Sequence, residues 1–355
     1  MYPSGPVDGI TDVPGVRVAN LTKIEGANIR TGATAILPNA DPWNHKVSAA
    51  AQPFNGNGEM TGVQWVNESG YLETPIVLTD TLDVGRADDG VISWMMQRYA
   101  QIGLEDDVPL PVVAECDDQG MNDIRGRYVQ ADDVVALLSR AQGGQFARGN
   151  SGAGTGMRSF KFKAGIGSAS RVLPAAQGGY TVGVLVNNNT SSAPRQFLRI
   201  GGYPIGERMR NELLPTPKRT SLEPETGRKN GGSIVIIVAT NAPLESRQLA
   251  ALTRRAELAM GRVGMPSPIS SGDLLLAFST TYTFDRDAQW NIHAPRGSFV
   301  EDETIVDALY VAAIEATESA IYDSLFSAQT MTSPYGTTYY ALPAARVREI
   351  IAGMH

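Results

Sequence analysis

Two kinds of apolar pattern alternate along the chain: short continuous runs, and longer segments with an apolar residue at every third or fourth position. The short runs are rich in Val, Ile and Leu and are bounded by turn-forming residues, which is typical of buried strands. The sequence predicts strands at Ala35–Leu37, Ile76–Thr79, Pro111–Ala114, Tyr180–Val186, Ser233–Thr240 and Leu274–Thr280.

The longer segments predict helices. Helical spacing of apolar residues runs through Asp83–Ile102, Pro243–Val263, Asp302–Ala328 and Arg346–Ala352. The second segment opens with Asn241 and Pro243, which are typical cap and first-turn residues. Because strands and helices alternate and no linker divides the chain, we predict a single layered α/β domain over residues 1–355.

Composition and charge exclude several classes of protein. Hydrophobic residues make up 42% of the chain, enough for a sizeable core, yet no apolar run approaches the ~20 residues of a transmembrane helix. With a net charge of −7 and no long run of Lys or Arg, we expect no nucleic-acid partner. The single cysteine, Cys116, excludes an internal disulfide and a Cys-rich zinc site. The first residues lack the basic and apolar regions of a signal peptide, so we expect a cytoplasmic protein without membrane attachment.

Glycine is over-represented, with 37 residues in the chain against a usual share of about 7%. The run Gly149–Gly156 invites interpretation as a nucleotide-binding loop, but no strand precedes it and no G-x-x-x-x-G-K-[ST] pattern follows. We therefore expect a tight loop on the substrate side of a site.

A second glycine cluster lies at a sharp change in the sequence. Residues 216–232, TPKRTSLEPETGRKNGG, are polar and turn-rich, and they lead directly into SIVIIVAT. The simplest interpretation is a surface loop that enters a core strand. Alternatively, Gly232–Ser233 is a processing site, because glycine tolerates strained backbone and the serine could attack the carbonyl before it. Cleavage would also free an α-amine, whose usual pKa of about 7.7–8.0 suits the base that a serine nucleophile requires.

Three polar clusters offer the remaining groups of such a site. Ser271 and Asp273 point to the same side of an extended segment and could orient an amine, although their spacing alone favours a plain turn before a strand. The run Asn187–Asn189 follows an apolar strand and supplies either amide donors for an oxyanion or a turn. Glu115 opens an acidic cluster with Asp117 and Asp118, which would bind a cationic amine or, as a weaker alternative, a metal.

Taken together, these motifs resemble the DmpA/BapA-type aminopeptidases, the serine peptidase family of L-aminopeptidase/D-esterases and β-peptidyl aminopeptidases. The resemblance covers nearly the whole chain in order. Its segments are GITDVPGVRV (Gly9–Val18), TGATAILP (Thr31–Pro38), LETPIVLTDTLDVG (Leu72–Gly85), PVVAE (Pro111–Glu115), GAGTGM (Gly152–Met157), KAGIGSASRV (Lys163–Val172), YTVGVLV (Tyr180–Val186), GGSIVIIVATNAPL (Gly231–Leu244) and SSGDLLLAFST (Ser270–Thr280).

The resemblance implies a four-layer αββα sandwich, similar to N-terminal-nucleophile hydrolases but with its own connectivity. It also implies self-cleavage between Gly232 and Ser233 into chains 1–232 and 233–355, with Ser233 as the nucleophile. Ser271 and Asp273 match the motif that orients its amine. The family forms homo-oligomers of processed pairs, often tetramers, and needs no metal or organic cofactor.

For substrate binding, the resemblance implies that Asn189 contacts the oxyanion, with the register of the three asparagines open by one residue, and that Glu115 holds the free amino group of the substrate. The substrate would be a small peptide or an amino-acid amide or ester. Asp117 stands where the family usually has an aromatic residue, so we expect a preference for more cationic substrates or a weaker oxyanion contact. Thr190 and Ser191 replace a usual aromatic residue and glycine near the pocket.

Two alternatives to an aminopeptidase remain. Related architectures transfer acyl groups to amines, and a chain of this fold that is never cut would be a non-catalytic binding protein. Ser233 and Glu115 favour hydrolysis.

Overall fold

In the part of the chain that the structure describes, the strands build two large sheets and two small two-stranded sheets. We describe a computed structural model that covers residues 1–216, 232–295 and 297–354, so most of the polar stretch predicted before Ser233, Gly231 included, lies outside the described residues. The strands are β1 Arg17–Glu25, β2 Ile29–Leu37, β3 His45–Gly56, β4 Tyr71–Leu72, β5 Ile76–Thr79, β6 Val112–Glu115, β7 Arg158–Ser159, β8 Phe162–Lys163, β9 Ile166–Val172, β10 Thr181–Asn189, β11 Ser233–Thr240, β12 Gly272–Arg286, β13 Ile292–His293, β14 Met331–Thr332 and β15 Thr338–Tyr339.

Each helix of the described residues follows a group of one to four strands. The helices are α1 Val63–Ser69, α2 Val84–Arg98, α3 Ala131–Ser139, α4 Ile205–Arg208, α5 Ser246–Val263, α6 Glu303–Phe326 and α7 Ala344–Ala352. The apolar pattern predicts four of them: α2, α5, α6 and α7. Within the described ranges, no helix combines the length and the apolar character needed to span a bilayer.

The first sheet has four strands in the order β1-β2-β5-β6. The second sheet has seven strands, with the order β4-β3-β12-β11-β10-β9 and with β13 paired to β12. Two neighbouring pairs are parallel, β5 with β6 and β11 with β12, and each pair encloses a helix along the chain. A parallel pair needs such a crossover because a tight turn can join only antiparallel strands.

Three clusters of buried apolar side chains separate the layers. One lies between the two sheets and includes Leu78 and Ile237. A second lies between the second sheet and helices α5 and α6, and includes Ile236 and Leu309. The third lies between the first sheet and helices α2 and α3, where Val91 is buried. The layers are therefore helices, sheet, sheet and helices, and the predicted four-layer αββα sandwich is confirmed.

Strand β11 is buried on both faces, which explains its continuous apolar sequence. All residues of Ser233–Thr240 are buried. Val235 and Ile237 pack toward the first sheet, while Ile234 and Ile236 pack toward the helices. A strand without a solvent-facing side has no reason to alternate apolar and polar residues.

Helix α5 shows where the predicted cap was wrong. The helix begins after Glu245, three residues beyond the predicted start at Pro243. Glu245 and Gln248 form a capping box, in which the Glu245 amide donates to Gln248 Oε1 at 3.1 Å. Asn241 instead accepts the Thr181 amide at 2.7 Å and ties the end of β11 to β10. A tertiary contact thus uses the side chain that local sequence assigns to the helix cap.

The ends of four strands meet at one edge of the second sheet. Because β11 and β12 are parallel, their first residues lie side by side, and Ser233 pairs with Gly272. Strands β10 and β3 run the other way and end at the same edge, where Asn189 pairs with Ser233 and Gly56 pairs with Gly272. The topology therefore brings together residues that are far apart in sequence.

We expect Leu249→Ala to lower the free energy of unfolding by about 2–5 kcal/mol, because Leu249 is fully buried against the second sheet. Urea unfolding followed by circular dichroism measures the change. Leu258 lies on the same helix and is 56% exposed, so Leu258→Ala is the matched control and should change stability by less than about 0.5 kcal/mol. Equal losses in both variants would contradict the burial described for α5.

Candidate active site

Ser233 is the first residue of β11, at the edge where the four strands end. Its residue surface is only 6% exposed, and its Oγ makes no hydrogen bond to an oxygen or nitrogen of the described residues, although the buried Cys116 thiol lies near enough to interact with it. A buried hydroxyl without a partner costs about 1–3 kcal/mol relative to a hydrogen-bonded one. Such a group needs an explanation, and a reactive role is one that also fits its place at a strand end.

Ser233 and the Ser271–Asp273 pair face opposite sides of the second sheet. Side chains alternate along a strand, so Ser233 shares a face with Val235, which packs toward the first sheet. By the same alternation, the Ser271–Asp273 pair shares a face with Leu275, which packs toward the helices. Because Ser233 pairs with Gly272, its backbone nitrogen lies between the two faces and beside the pair.

Asp273 is fully buried, and three neighbouring side chains support its carboxylate. Ser271 Oγ donates to Oδ1 at 2.6 Å, and Asn55 Nδ2 donates to Oδ2 at 3.1 Å. Burial raises the pKa of Asp273, while hydrogen bonds from Ser271, Asn55 and Ser267 oppose that rise. The pair therefore offers a polarised hydroxyl and a carboxylate, the two groups that can hold and orient an amine.

Asn189 lies directly across from the candidate nucleophile. It pairs with Ser233 in the sheet and is almost fully buried. Its Oδ1 accepts the Arg158 amide at 3.1 Å, and its Nδ2 donates to the Asp117 carbonyl at 2.6 Å. These two bonds fix the orientation of the side-chain amide. Because Nδ2 carries two hydrogens, the second one can be donated to another acceptor on the face of Ser233.

The other two asparagines of the run have different surroundings. Asn188 Nδ2 donates to Ser324 Oγ at 2.9 Å, and therefore faces helix α6. Asn187 shares a face with Asn189, is fully buried, and has no side-chain hydrogen bond among the described residues. Only Asn189 combines the face of Ser233 with direct pairing to it.

Glu115, the last residue of β6, brings a buried carboxylate from the first sheet. Its Oε1 accepts the Glu59 amide at 3.1 Å, and its Oε2 accepts the Thr81 hydroxyl. A Cβ atom at Gly58 would stand 3.1 Å from Glu115 Oε1 and 3.3 Å from Gly272 Cα, so the carboxylate lies close to the start of β12. Burial raises the pKa of Glu115, and the hydrogen bonds from Thr81 and the Glu59 amide oppose that rise.

The two residues after Glu115 differ in exposure. Asp117 is exposed, and its Oδ1 accepts the Gln119 amide at 2.7 Å within its own loop. Its effect on substrate preference stays a prediction. Cys116 is fully buried, and its Sγ donates to the Asn187 carbonyl at 3.5 Å. Burial raises the pKa of the Cys116 thiol, which keeps it protonated and unreactive as a nucleophile.

Two residues that support the site, Thr81 and Asn55, do not stand out in the sequence. Thr81 holds Glu115, and Asn55 holds Asp273. Thr81 follows the end of β5, and Asn55 lies at the end of β3. Both stretches are rich in turn-forming residues, so the sequence around them indicates only a turn. Their partners lie 34 and 218 positions away, however, and only the tertiary structure shows which carboxylate each one contacts.

The groups that meet at this edge suit one kind of chemistry. They are a buried hydroxyl, a Ser–Asp pair beside its backbone nitrogen, an oriented amide donor and a buried carboxylate. Together they provide a nucleophile, groups that orient its base, an oxyanion contact and a binding site for a cation.

Comparisons with known proteins agree with this chemistry. A family profile described as Peptidase family S58 matches residues 8–339. The chain belongs to peptidase family S58. It is also 37% identical over 364 residues to the β-peptidyl aminopeptidase BapA of Sphingosinicella microcystinivorans, with 98% of this chain and 88% of that protein covered.

Solved structures of the same family share the fold. A β-aminopeptidase from Burkholderia sp. is 37% identical and superimposes with a TM-score of 0.87, over 99% of this chain and 96% of its own. The L-aminopeptidase D-Ala-esterase/amidase from Ochrobactrum anthropi is 36% identical, with a TM-score of 0.88, over 100% of this chain and 96% of its own. That protein is described as a prototype for the serine aminopeptidases and as a new variant of the Ntn hydrolase fold.

These similarities confirm the predicted family and show that this S58 protein is a hydrolase with an aminopeptidase or esterase function. They favour this function over the acyltransferase and the non-catalytic binding protein considered from the sequence.

We expect Thr81→Val to move the acid limb of the kcat/KM profile to higher pH. The Thr81 hydroxyl favours the charged form of Glu115, so its loss raises the pKa of Glu115 further. A protonated Glu115 cannot hold a cationic amine, and activity then falls earlier as the pH is lowered. Hydrolysis of an aminoacyl p-nitroanilide between about pH 4 and pH 8 measures the limb. Thr81→Ser retains the hydroxyl and should keep the wild-type profile, whereas an unchanged limb in Thr81→Val would argue against this role.

Proposed function

We propose that this S58 peptidase cuts its own chain between Gly232 and Ser233 and then uses Ser233 as the nucleophile of an aminopeptidase. The products of this cut would be chains 1–232 and 233–355. The observation that carries the proposal is the buried Ser233 hydroxyl at the start of β11, beside the hydrogen-bonded Ser271–Asp273 pair.

In the proposed reaction, Ser233 Oγ attacks the carbonyl carbon of the first residue of the substrate. The α-amine of Ser233 accepts the hydroxyl proton, since its usual pKa of about 7.7–8.0 suits proton transfer near neutral pH. Ser271 and Asp273 orient that amine, and Asn189 donates to the oxyanion. The leaving amine takes the proton, and water then hydrolyses the acyl-enzyme.

The position of Glu115 is the reason for proposing substrates with a free N-terminal amine. Its carboxylate is buried, and a buried charge interacts more strongly with a cation than an exposed one does. An ammonium group held there would place the first carbonyl of the substrate near Ser233, so the enzyme would remove single N-terminal residues. We propose small peptides and amino-acid amides or esters as substrates, with an L-α-, D- or β-amino acid at the N-terminus.

We also propose that processed pairs assemble into homo-oligomers, often tetramers in this family. Support for this part comes from membership of peptidase family S58 over residues 8–339. Light scattering coupled to gel filtration measures the mass of the assembly, and a monomeric active enzyme would overturn this part.

We expect Ser233→Ala to remain a single full-length chain without hydrolase activity, because the variant lacks the attacking hydroxyl. Wild type should give two chains on a denaturing gel, the larger about twice the smaller, and intact-mass analysis should locate the cut after Gly232. Ser139→Ala changes an exposed serine on α3 and serves as the control that should be cut normally. If Ser233→Ala still splits and still hydrolyses amides, Ser233 is not the nucleophile.

We expect Glu115→Gln to raise KM for substrates with a free N-terminal amine by about 10- to 100-fold, the range for a lost hydrogen bond to a charged group. Glutamine keeps the shape of the side chain but removes its charge. Steady-state kinetics on an aminoacyl p-nitroanilide and on its N-acetyl derivative measure the preference. Glu68→Gln, at an exposed position on α1, is the matched control. An unchanged preference for the free amine in Glu115→Gln would contradict the assigned role.

A further inference from the structure

The backbone of Gly232 is held on both sides. Its amide donates to Ser192 Oγ at 3.0 Å. Its carbonyl oxygen accepts the Gly272 amide at 3.1 Å. The amide and the carbonyl belong to the two peptide planes that flank the Gly232 Cα atom. Holding one group in each plane restricts both backbone dihedral angles of the residue before Ser233.

The segment that carries Ser192 approaches Gly232 very closely. A Cβ atom at residue 232 would stand 2.8 Å from Thr190 Cα and 3.2 Å from the Asn189 carbonyl oxygen. Only glycine leaves room for this approach, yet glycine is also the residue with the most backbone freedom to lose. The position therefore needs an external contact to keep its carbonyl in one orientation.

We propose that Ser192 is a positioning residue for self-cleavage, which it promotes by holding the Gly232 amide so that the Gly232 carbonyl faces Ser233 Oγ. This proposal rests on the self-cleavage proposed above and names a residue that acts on that step alone. Gly232 becomes a free C-terminus after the cut. The contact between Ser192 and the Gly232 amide therefore acts on the chain before it is cut.

The contacts fit the chemistry of the step. Ser233 Oγ adds to the Gly232 carbonyl carbon, and the carbonyl oxygen becomes the oxyanion. The Gly272 amide already donates to that oxygen. The carbon–nitrogen bond between Gly232 and Ser233 then breaks, and the nitrogen takes the hydroxyl proton to become the α-amine. Water hydrolyses the resulting ester, which leaves a Gly232 carboxylate and restores the Ser233 hydroxyl.

The test measures processing and peptidase activity separately in the full-length chain. Cell-free synthesis with a short labelling pulse, followed by denaturing gels, gives the rate at which the full-length band splits. We expect Ser192→Ala to slow the split by about fivefold, as the loss of one neutral hydrogen bond implies. After processing is complete, its kcat/KM on an aminoacyl p-nitroanilide should lie within about twofold of wild type.

Two further variants separate positioning from a general structural effect. Ser192→Thr retains a hydroxyl and should restore most of the processing rate. Ser139→Ala is the control, because it removes a hydroxyl from an exposed position on α3, and its chain should split at the wild-type rate.

The outcomes distinguish this proposal from the one on which it rests. A wild-type chain that stays whole overturns self-cleavage itself, and the role of Ser192 with it. If wild type splits and Ser192→Ala splits equally fast, only the role of Ser192 is overturned. An equal loss of processing rate, kcat/KM and melting temperature in Ser192→Ala, without rescue by Ser192→Thr, shows a structural residue and also overturns the proposal.

Discussion

The parallel pairing of β11 with β12 is the constraint from which the rest of the site follows. It places Ser233 beside Gly272 and therefore sets the backbone nitrogen of Ser233 next to the Ser271–Asp273 pair. Glycine is required in this register, because a Cβ atom at residue 272 would come within 2.4 Å of the Asn57 carbonyl oxygen. The same close approach brings residues 57–58, and through them Glu115 of the other sheet, to the start of β12.

Burial between layers shapes the electrostatics of this edge. Glu115 and Asp273 are both taken out of water, which raises their pKa values, and each is held by hydrogen bonds that favour its charged form. Both carboxyl groups lie in an apolar sandwich, where a charged carboxylate interacts with an amine more strongly than at the surface. Thr81 and Asn55 support these two groups from outside the set of candidate catalytic residues.

Individual residues show which structural features a local sequence pattern predicts and which it does not. The apolar run of β11 and the alternation that puts Ser271 and Asp273 on one face were readable from the sequence, because both depend on neighbours one or two positions away. The N-cap of α5 could not be predicted in this way, because the side chain of Asn241 accepts a hydrogen bond from the Thr181 amide of β10. The glycine run Gly149–Gly156 packs against β2, where a Cβ atom at residue 152 would come within 2.2 Å of Thr34 Oγ1.

The sequence by itself determined six of the strands and four of the helices, the layered class and, through ordered resemblance along the chain, the family. These features depend on periodicity and on motifs that are contiguous in the chain. The tertiary structure alone decided which of three asparagines lies across from Ser233, which side chains support Glu115 and Asp273, and that Ser192 contacts Gly232. Those contacts join residues 34 to 218 positions apart, and their geometry is set by strand register and close backbone packing, which no local pattern encodes.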